Sequence, residues 1–308
     1  MSESDHKSGQ YEIECSEMTE RAALERLLAE LRPKLHRYCA RMTGSVIDGE
    51  DVVQEAILKA IEALDESGAI ANPEGWLFRI AHNTALDHLR RRARQEAARS
   101  DEEIEMIADR TATDIRLATS ASMHTFMRLP VAQRSSIILM DVLGYSLDEI
   151  GRVTEQSMPA IKASLHRGRA RLAEFAQEPD DAPVPQLAQS ERALLTAYVD
   201  RFNARDFDAV RDMLADEVRL ELVNKSRLVG RGEVSRYFTN YSKVDDWRLA
   251  LGFVDRRPAL IVRDPADPSG SPAYFVLLGW DGDSVATIRD FRHARYVAEG
   301  AEMVELSG

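Results

Sequence analysis

The chain has 308 residues, 44% of them hydrophobic, enough for two or three domains with cores of their own. No stretch approaches the roughly 18 uncharged apolar residues of a membrane span, and the polar start MSESDHKSGQ lacks a signal-peptide core, so a cytoplasmic location is expected. Two cysteines, Cys15 and Cys39, and histidines without close Cys/His spacing predict neither disulfide nor metal, and no cofactor is implied.

The net charge of -12 argues against nucleic acid, but its distribution does not. Residues 1-18 carry -4, residues 96-122 carry -4 and residues 177-190 carry -3, so the remaining segments are close to neutral. Within them lie two basic patches, five arginines from Arg90 to Arg99, and Lys162, Arg167, Arg169 and Arg171.

Residues 1-18 lack periodicity and read as a disordered tail. A helix is predicted from about Thr19, with Leu24, Leu27, Leu28, Leu31 and Leu35 on one face and Gly44 as its stop. A second is predicted with Asp48 as its cap, Val52, Val53, Ala56, Ile57, Ala60, Ile61 and Leu64 as its stripe, and an end before Gly68. Asn72-Pro73 reads as a cap and first helical position, opening a long helix through Trp76, Leu77, Ile80, Ala81 and Leu89 into the arginine patch. Trp76 shares the apolar spacing and is assigned to core rather than to base stacking.

The acidic stretch 96-122 reads as a linker, and helices resume near Met123. Pro130 opens one that ends at Gly144; Ser146 caps a short one through Leu147, Ile150 and Val153. Ser157 is placed to cap the next, where Ile161, Leu165, Leu172 and Phe175 line one face and Lys162, His166 and Arg169 another. Two short helices with a tight turn and a basic front form a helix-turn-helix pattern, although a basic helical face is also what simple solvation produces.

Three motifs in order separate those readings. DGEDVVQEAILKAI, NPEGWLFRIAHNTALDHLRRR, and LPVAQRSSIILMDVLGYSLDEI with the helix after it resemble the extracytoplasmic-function group of the sigma-70 family across residues 19-176. The resemblance implies two all-α domains, region 2 at 19-95 and region 4 at 123-176, and the partners core RNA polymerase and promoter DNA. It implies that Asp51, Gln54 and Glu55 dock on polymerase. The loop 65-72, ending in Asn72, would with Arg79 and Asn83 capture an extruded base of the −10 element, and Arg90 and Arg91 would contact backbone. Ser157, Ala160, Lys162, Ala163, His166, Arg167 and Arg169 would face the −35 element. Where relatives carry glycine in the turn this chain has Glu155, and a bracing-helix alanine is Gly151, so altered turn geometry is expected.

Residues 177-190 read as a second linker. Beyond it, Leu195, Tyr198, Val199 and Phe202 mark one helix and Phe207, Val210, Met213 and Leu214 another. Val218, Leu220 and Leu222 alternate, Gly230-Arg231-Gly232 precedes a helix through Phe238, and strands are predicted at 247-254, 259-263, 274-280 and 285-297, the last two joined at Asp281-Gly282. Helices followed by a run of antiparallel strands predict an α+β domain at 191-308. Its order and the closing IRDFRHARYV resemble the SnoaL-like cone, which implies a pocket for a small-molecule ligand and, in some members, enzymes. Asp290 and His293, three apart, point to opposite faces of a regular strand, and Asp290 and Arg292 share one and are expected to pair, so no catalytic dyad is assigned. Two rival functions follow from the same residues, a helix-turn-helix regulator without polymerase docking and a SnoaL-type enzyme with a DNA-binding appendage.

Overall fold

A computed structural model describes residues 26-67, 70-97, 123-175 and 185-306. The tail at 1-18, most of the linker at 96-122 and the first part of that at 177-190 lie outside these residues. The chain divides into two compact units, Met1–Glu178 and Pro179–Gly308.

In the first unit, α1 (26-43) stops where Gly44 takes φ +79°, a conformation that a side chain would strain. The next helix, α2 (Val46–Ser67), starts three residues earlier than the Asp48 cap predicts. Ser45 takes that role, its Oγ accepting from the amides of Ile47 and Asp48 at 3.2 and 3.3 Å. Helix α3 (Pro73–Ala97) opens as expected, the Asn72 Oδ1 accepting from the Gly75 amide at 3.0 Å. Crossing of α2 on α1 is close enough that a Cβ on Gly49 would lie 2.5 Å from the Ala40 Cα, which is why glycine stands there.

Helix α4 (Met123–Met127) precedes α5 (Val131–Ile137), which opens after Pro130 and widens into a π turn at Ile138–Val142 before Gly144 ends it with φ +76°. Helices α6 (Leu147–Thr154) and α7 (Met158–Phe175) complete the helix-turn-helix. Leu35, Tyr38 and Phe78 from the first helices share one buried cluster with Phe126, Ile137, Tyr145 and Ile161 from the second set, so the two regions form one body.

The second unit is α+β. Helices α8 (Gln189–Asn203), α9 (Phe207–Asp212) and α10 (Arg231–Tyr241) accompany a seven-stranded sheet of order β2-β1-β6-β5-β4-β3-β7. Its strands are β1 (Leu214–Leu222), β2 (Ser226–Val229), β3 (Arg248–Val254), β4 (Arg257–Arg263), β5 (Pro272–Asp281), β6 (Ser284–Asp290) and β7 (Met303–Glu305). The predicted helical residues Leu195, Tyr198, Val199 and Phe202 are all buried on α8. Phe202 is the hub of an aromatic core, edge-to-face with Phe207, Phe238, Tyr241 and Trp247 at centroid distances of 4.9 to 6.2 Å.

Three expectations need correcting. The sheet is mixed, because β1 runs parallel to β6. Leu214 begins β1 rather than ending a helix, and the final predicted strand stops at Asp290, the chain turning into a 3-10 helix at Arg295–Gly300. The β5–β6 hairpin is as expected, with Asp281 opposite Ser284 and Gly282 at φ +56°.

Candidate nucleic-acid interface

The helix-turn-helix is built from local chemistry upward. A capping box opens α6: the Ser146 Oγ accepts from the Glu149 amide at 3.4 Å, and Glu149 Oε2 accepts from the Ser146 amide at 2.8 Å. Ile150 and Val153 of α6 are buried, as are Ile161, Leu165 and Leu172 of α7. At the turn, Glu155 adopts φ 57° and ψ 26°, so a carboxylic side chain occupies the left-handed position that glycine would take. The expected alteration of the turn is thus absent, and the cost is local strain.

Ser157, just before α7, is exposed, as are Ala160, Lys162, His166 and Arg167 on the helix, and Ala163 is half-buried. Arg169 departs from that face. Its Nη2 and Nε donate to Asp141 Oδ1 and Oδ2 at 2.5 and 2.9 Å, a fork onto a carboxylate whose side chain has no exposed surface. The π turn that ends α5 carries Asp141. Arg169, half-buried, therefore braces α7 through Asp141 in this structure. Met158, in the first turn of α7, is exposed as well, although its residue type does not mark it as a DNA contact in the sequence.

Asp51 is exposed on α2, with Gln54 and Glu55 half-buried beside it. Glu55 accepts from Lys59 at 2.8 Å and from Arg91 at 2.7 Å. Burial alone would raise its pKa, but these two cations outweigh it and hold the carboxyl below its ordinary range. A docking candidate and a DNA-backbone candidate are thereby joined. The same face carries Leu58, 60% exposed and absent from the predicted stripe.

Arg79 and Asn83 are exposed one turn apart on α3, and Arg90 is exposed further along, paired with Asp87 at 3.1 Å. Exposed pairs of this kind are worth roughly 0-1 kcal/mol, so they yield to phosphate at little cost. Trp76 packs with Leu28, Ala60 and Leu77, as its spacing predicts.

Polar contacts also link the two regions. Arg134, 4% exposed, donates to the Met42 carbonyl at 2.5 Å and to those of Met127 and Leu129 at 3.0 and 2.9 Å. Tyr145 donates to Glu74 Oε1 at 2.6 Å, where Lys34 also donates at 2.5 Å while lying 4.4 Å from the Tyr145 ring centroid. The bonds from Lys34 and Tyr145 hold the Glu74 carboxyl below its usual range. Asn72, Glu74 and Gly75 thus line a cleft with Tyr145, Glu149 and Arg152.

In the second unit, Asp290 is fully buried and accepts from the hydroxyls of Tyr237 and Tyr241 at 2.8 and 2.7 Å. Burial raises its pKa against the pull of those donors. Arg292 does not form the expected ion pair with it: the backbone amide of Arg292 donates to Asp290 at 2.8 Å, but its guanidinium pairs with Asp246 at 2.5 Å and donates to the Tyr274 hydroxyl at 3.0 Å. His293 lies 3.3 Å from the Lys225 ammonium nitrogen, away from this network. Among the described residues no helix is long and apolar enough to cross a membrane, and no cluster of three or more His, Cys, Asp or Glu has the arrangement of a metal site.

A capped helix-turn-helix shares one core with a helical body that carries an exposed arginine patch, the arrangement of a DNA-binding protein. Comparison with known proteins gives the family. The Sigma-70 region 2 model matches residues 27-95 and the Sigma-70 region 4 model residues 123-172. The ECF RNA polymerase sigma factor SigM of Mycobacterium tuberculosis is 33% identical over 154 residues, covering 50% of this chain and 77% of that protein. SigW of Bacillus subtilis, another ECF RNA polymerase sigma factor, is 28% identical over 155 residues, covering 46% and 82%. The chain belongs to the ECF sigma factor family. Among solved structures, the ECF sigma factor SigJ of M. tuberculosis aligns over 87% of this chain and 95% of its own at 19% identity and TM-score 0.34. A ketosteroid isomerase-like protein from Kribbella flavida aligns over 32% and 74% at 23% identity and TM-score 0.26.

Proposed function

We propose that this sigma factor joins core RNA polymerase and directs initiation at promoters with region 2 on the −10 element and region 4 on the −35 element. The observation that carries the reading is the exposed row Ser157, Ala160, Lys162, His166 and Arg167 on a buried-backed helix, with both sigma regions in order on one chain. Asp51, Gln54 and Glu55 serve as the docking face, while Asn72, Arg79 and Asn83 receive the −10 strand and Arg90 and Arg91 hold phosphates. Loading requires the cleft of Asn72, Glu74 and Tyr145 to open, since a flipped base needs that space.

The C-terminal unit regulates this in cis. A short acidic, proline-containing segment, 177-190, follows the −35 helix and keeps the unit at high effective concentration beside it. A small-molecule ligand of that unit is part of the same proposal. The test is transcription in vitro with core polymerase and a promoter library, comparing the full chain with one ending at Gln177. Promoter-dependent initiation supports the sigma reading, while operator binding without initiation defeats it. Identical behaviour of the two chains, with and without candidate ligands, makes the C-terminal unit a passenger.

A further inference from the structure

The side chain at the tip of the recognition helix is apolar. Met158 is the first residue of α7 and is 41% exposed, one of few large hydrophobic side chains with that much surface open among the described residues. Pro159 and Ala160 beside it are exposed as well. The buried residues of the helix are Ile161, Ser164, Leu165, Gly168, Ala170 and Leu172, and Met158, one turn before Ile161, is the large apolar side chain at this end that stays open.

Its position relates it to the basic residues. Met158, Lys162 and His166 recur at four-residue intervals and so form one ridge along the helix, with Met158 nearest the N-terminus. A recognition helix enters the major groove by that end. No acidic residue stands in the first turn of α7, and the exposed carboxylate nearest to it in sequence is Glu155, three residues before Met158. Pro159 further removes one amide donor from the turn, leaving less hydrogen-bonding capacity beside the exposed thioether. Of the groups that base pairs present in the major groove, only the 5-methyl of thymine is apolar.

We infer that Met158, with Pro159 and Ala160, is a specificity determinant of region 4 that selects thymine at one −35 position by packing on its methyl group. Lys162, His166 and Arg167 supply the polar contacts around it. The methyl contact has the same physical basis as any small apolar burial, and its loss weakens binding roughly three- to tenfold. This rests on the proposed reading of region 4 as the −35 reader.

The experiment uses the full chain assembled with core polymerase. Selection from a library randomised at the −35 element gives the preferred sequence, and each thymine in it is then replaced by uracil, which deletes only the methyl. The expected result is one thymine whose replacement weakens promoter binding three- to tenfold for the wild type and less than twofold for Met158→Ala. Lys162→Ala serves as the control: it lowers affinity while the uracil effect persists. Because Met158 is solvent-facing, the variant keeps its thermal midpoint, which is measured alongside. If no thymine is sensitive in the wild type, or if Met158→Ala leaves the sensitivity intact, the inference falls while the sigma reading stands. A holoenzyme that neither binds nor initiates at any promoter overturns both.

Discussion

Arg134→Met isolates what holds the two sigma regions together. The substitution keeps an unbranched apolar stem in a buried site and removes the fork that donates to the carbonyls of Met42, Met127 and Leu129. Hydrogen bonds from a charged donor are worth roughly 1.5-3 kcal/mol each, a gross contribution of about 5-9 kcal/mol for three. Against this stands burial, which lowers the guanidinium pKa to about 10 and corresponds to about 3 kcal/mol of disfavour for the charged form. The net effect is about 2-6 kcal/mol, and of the three bonds only that to Met42 joins region 4 to region 2. Arg134→Met is therefore expected to lower the urea unfolding free energy of the N-terminal unit by about 2-6 kcal/mol. It should also lengthen the distance between spin labels at Glu62 and Arg167, both exposed in this structure. A stability change below about 0.5 kcal/mol with an unchanged distance distribution would refute the reasoning, because the three carbonyls would then have found other donors at no cost.

Three further outcomes are expected. Glu155→Gly relieves a left-handed residue and should stabilise the N-terminal unit by about 0.5-1 kcal/mol in thermal unfolding, some of the relief being offset by added freedom in the unfolded chain. Burial lowers the pKa of both His36 and His82 from 6.5 to about 4, so the unfolded chain binds protons first as the pH falls. Stability is then fully present above pH 6.5 and declines towards pH 4, by about 1-2 kcal/mol per histidine at pH 5; His82→Gln should remove about half of that dependence in denaturant titrations. Arg169→Ala and Asp141→Asn should each cost about 2 kcal/mol and the double variant little more than either, with −35 duplex affinity retained at temperatures where the fold persists. Additive costs, or lost affinity in a folded Arg169→Ala, would return Arg169 to the base-reading face.

What the sequence discloses and what it withholds divide along the distance between interacting residues. Asn72-Pro73 at the start of α3, the Ser146/Glu149 capping box and the buried row Leu195, Tyr198, Val199 and Phe202 are all visible in sequence because each is an interaction within one or two helical turns. The Arg169–Asp141 pair is invisible to periodicity, which places a side chain on a face but does not report the partner beneath it. Asp141 is 28 residues away, and the π turn that carries it departs from the 3.6-residue repeat. The parallel pairing of β1 with β6 escapes for the same reason: Leu220 and Ile288 are local neighbours of nothing that signals their contact. Asp290 has an additional obstacle, since a carboxylate on a strand normally reads as exposed, and only the arrival of Tyr237 and Tyr241 from α10 gives it buried donors. Glu155 marks the reverse case. Its residue type argues against a left-handed turn, yet the capping of α6 before it and the burial of Ile161 after it fix both helices, and of the three residues between them Glu155 takes the left-handed conformation. The exposed face of α7 is oriented by those same buried contacts, so its candidate base-reading residues depend on packing that none of them makes.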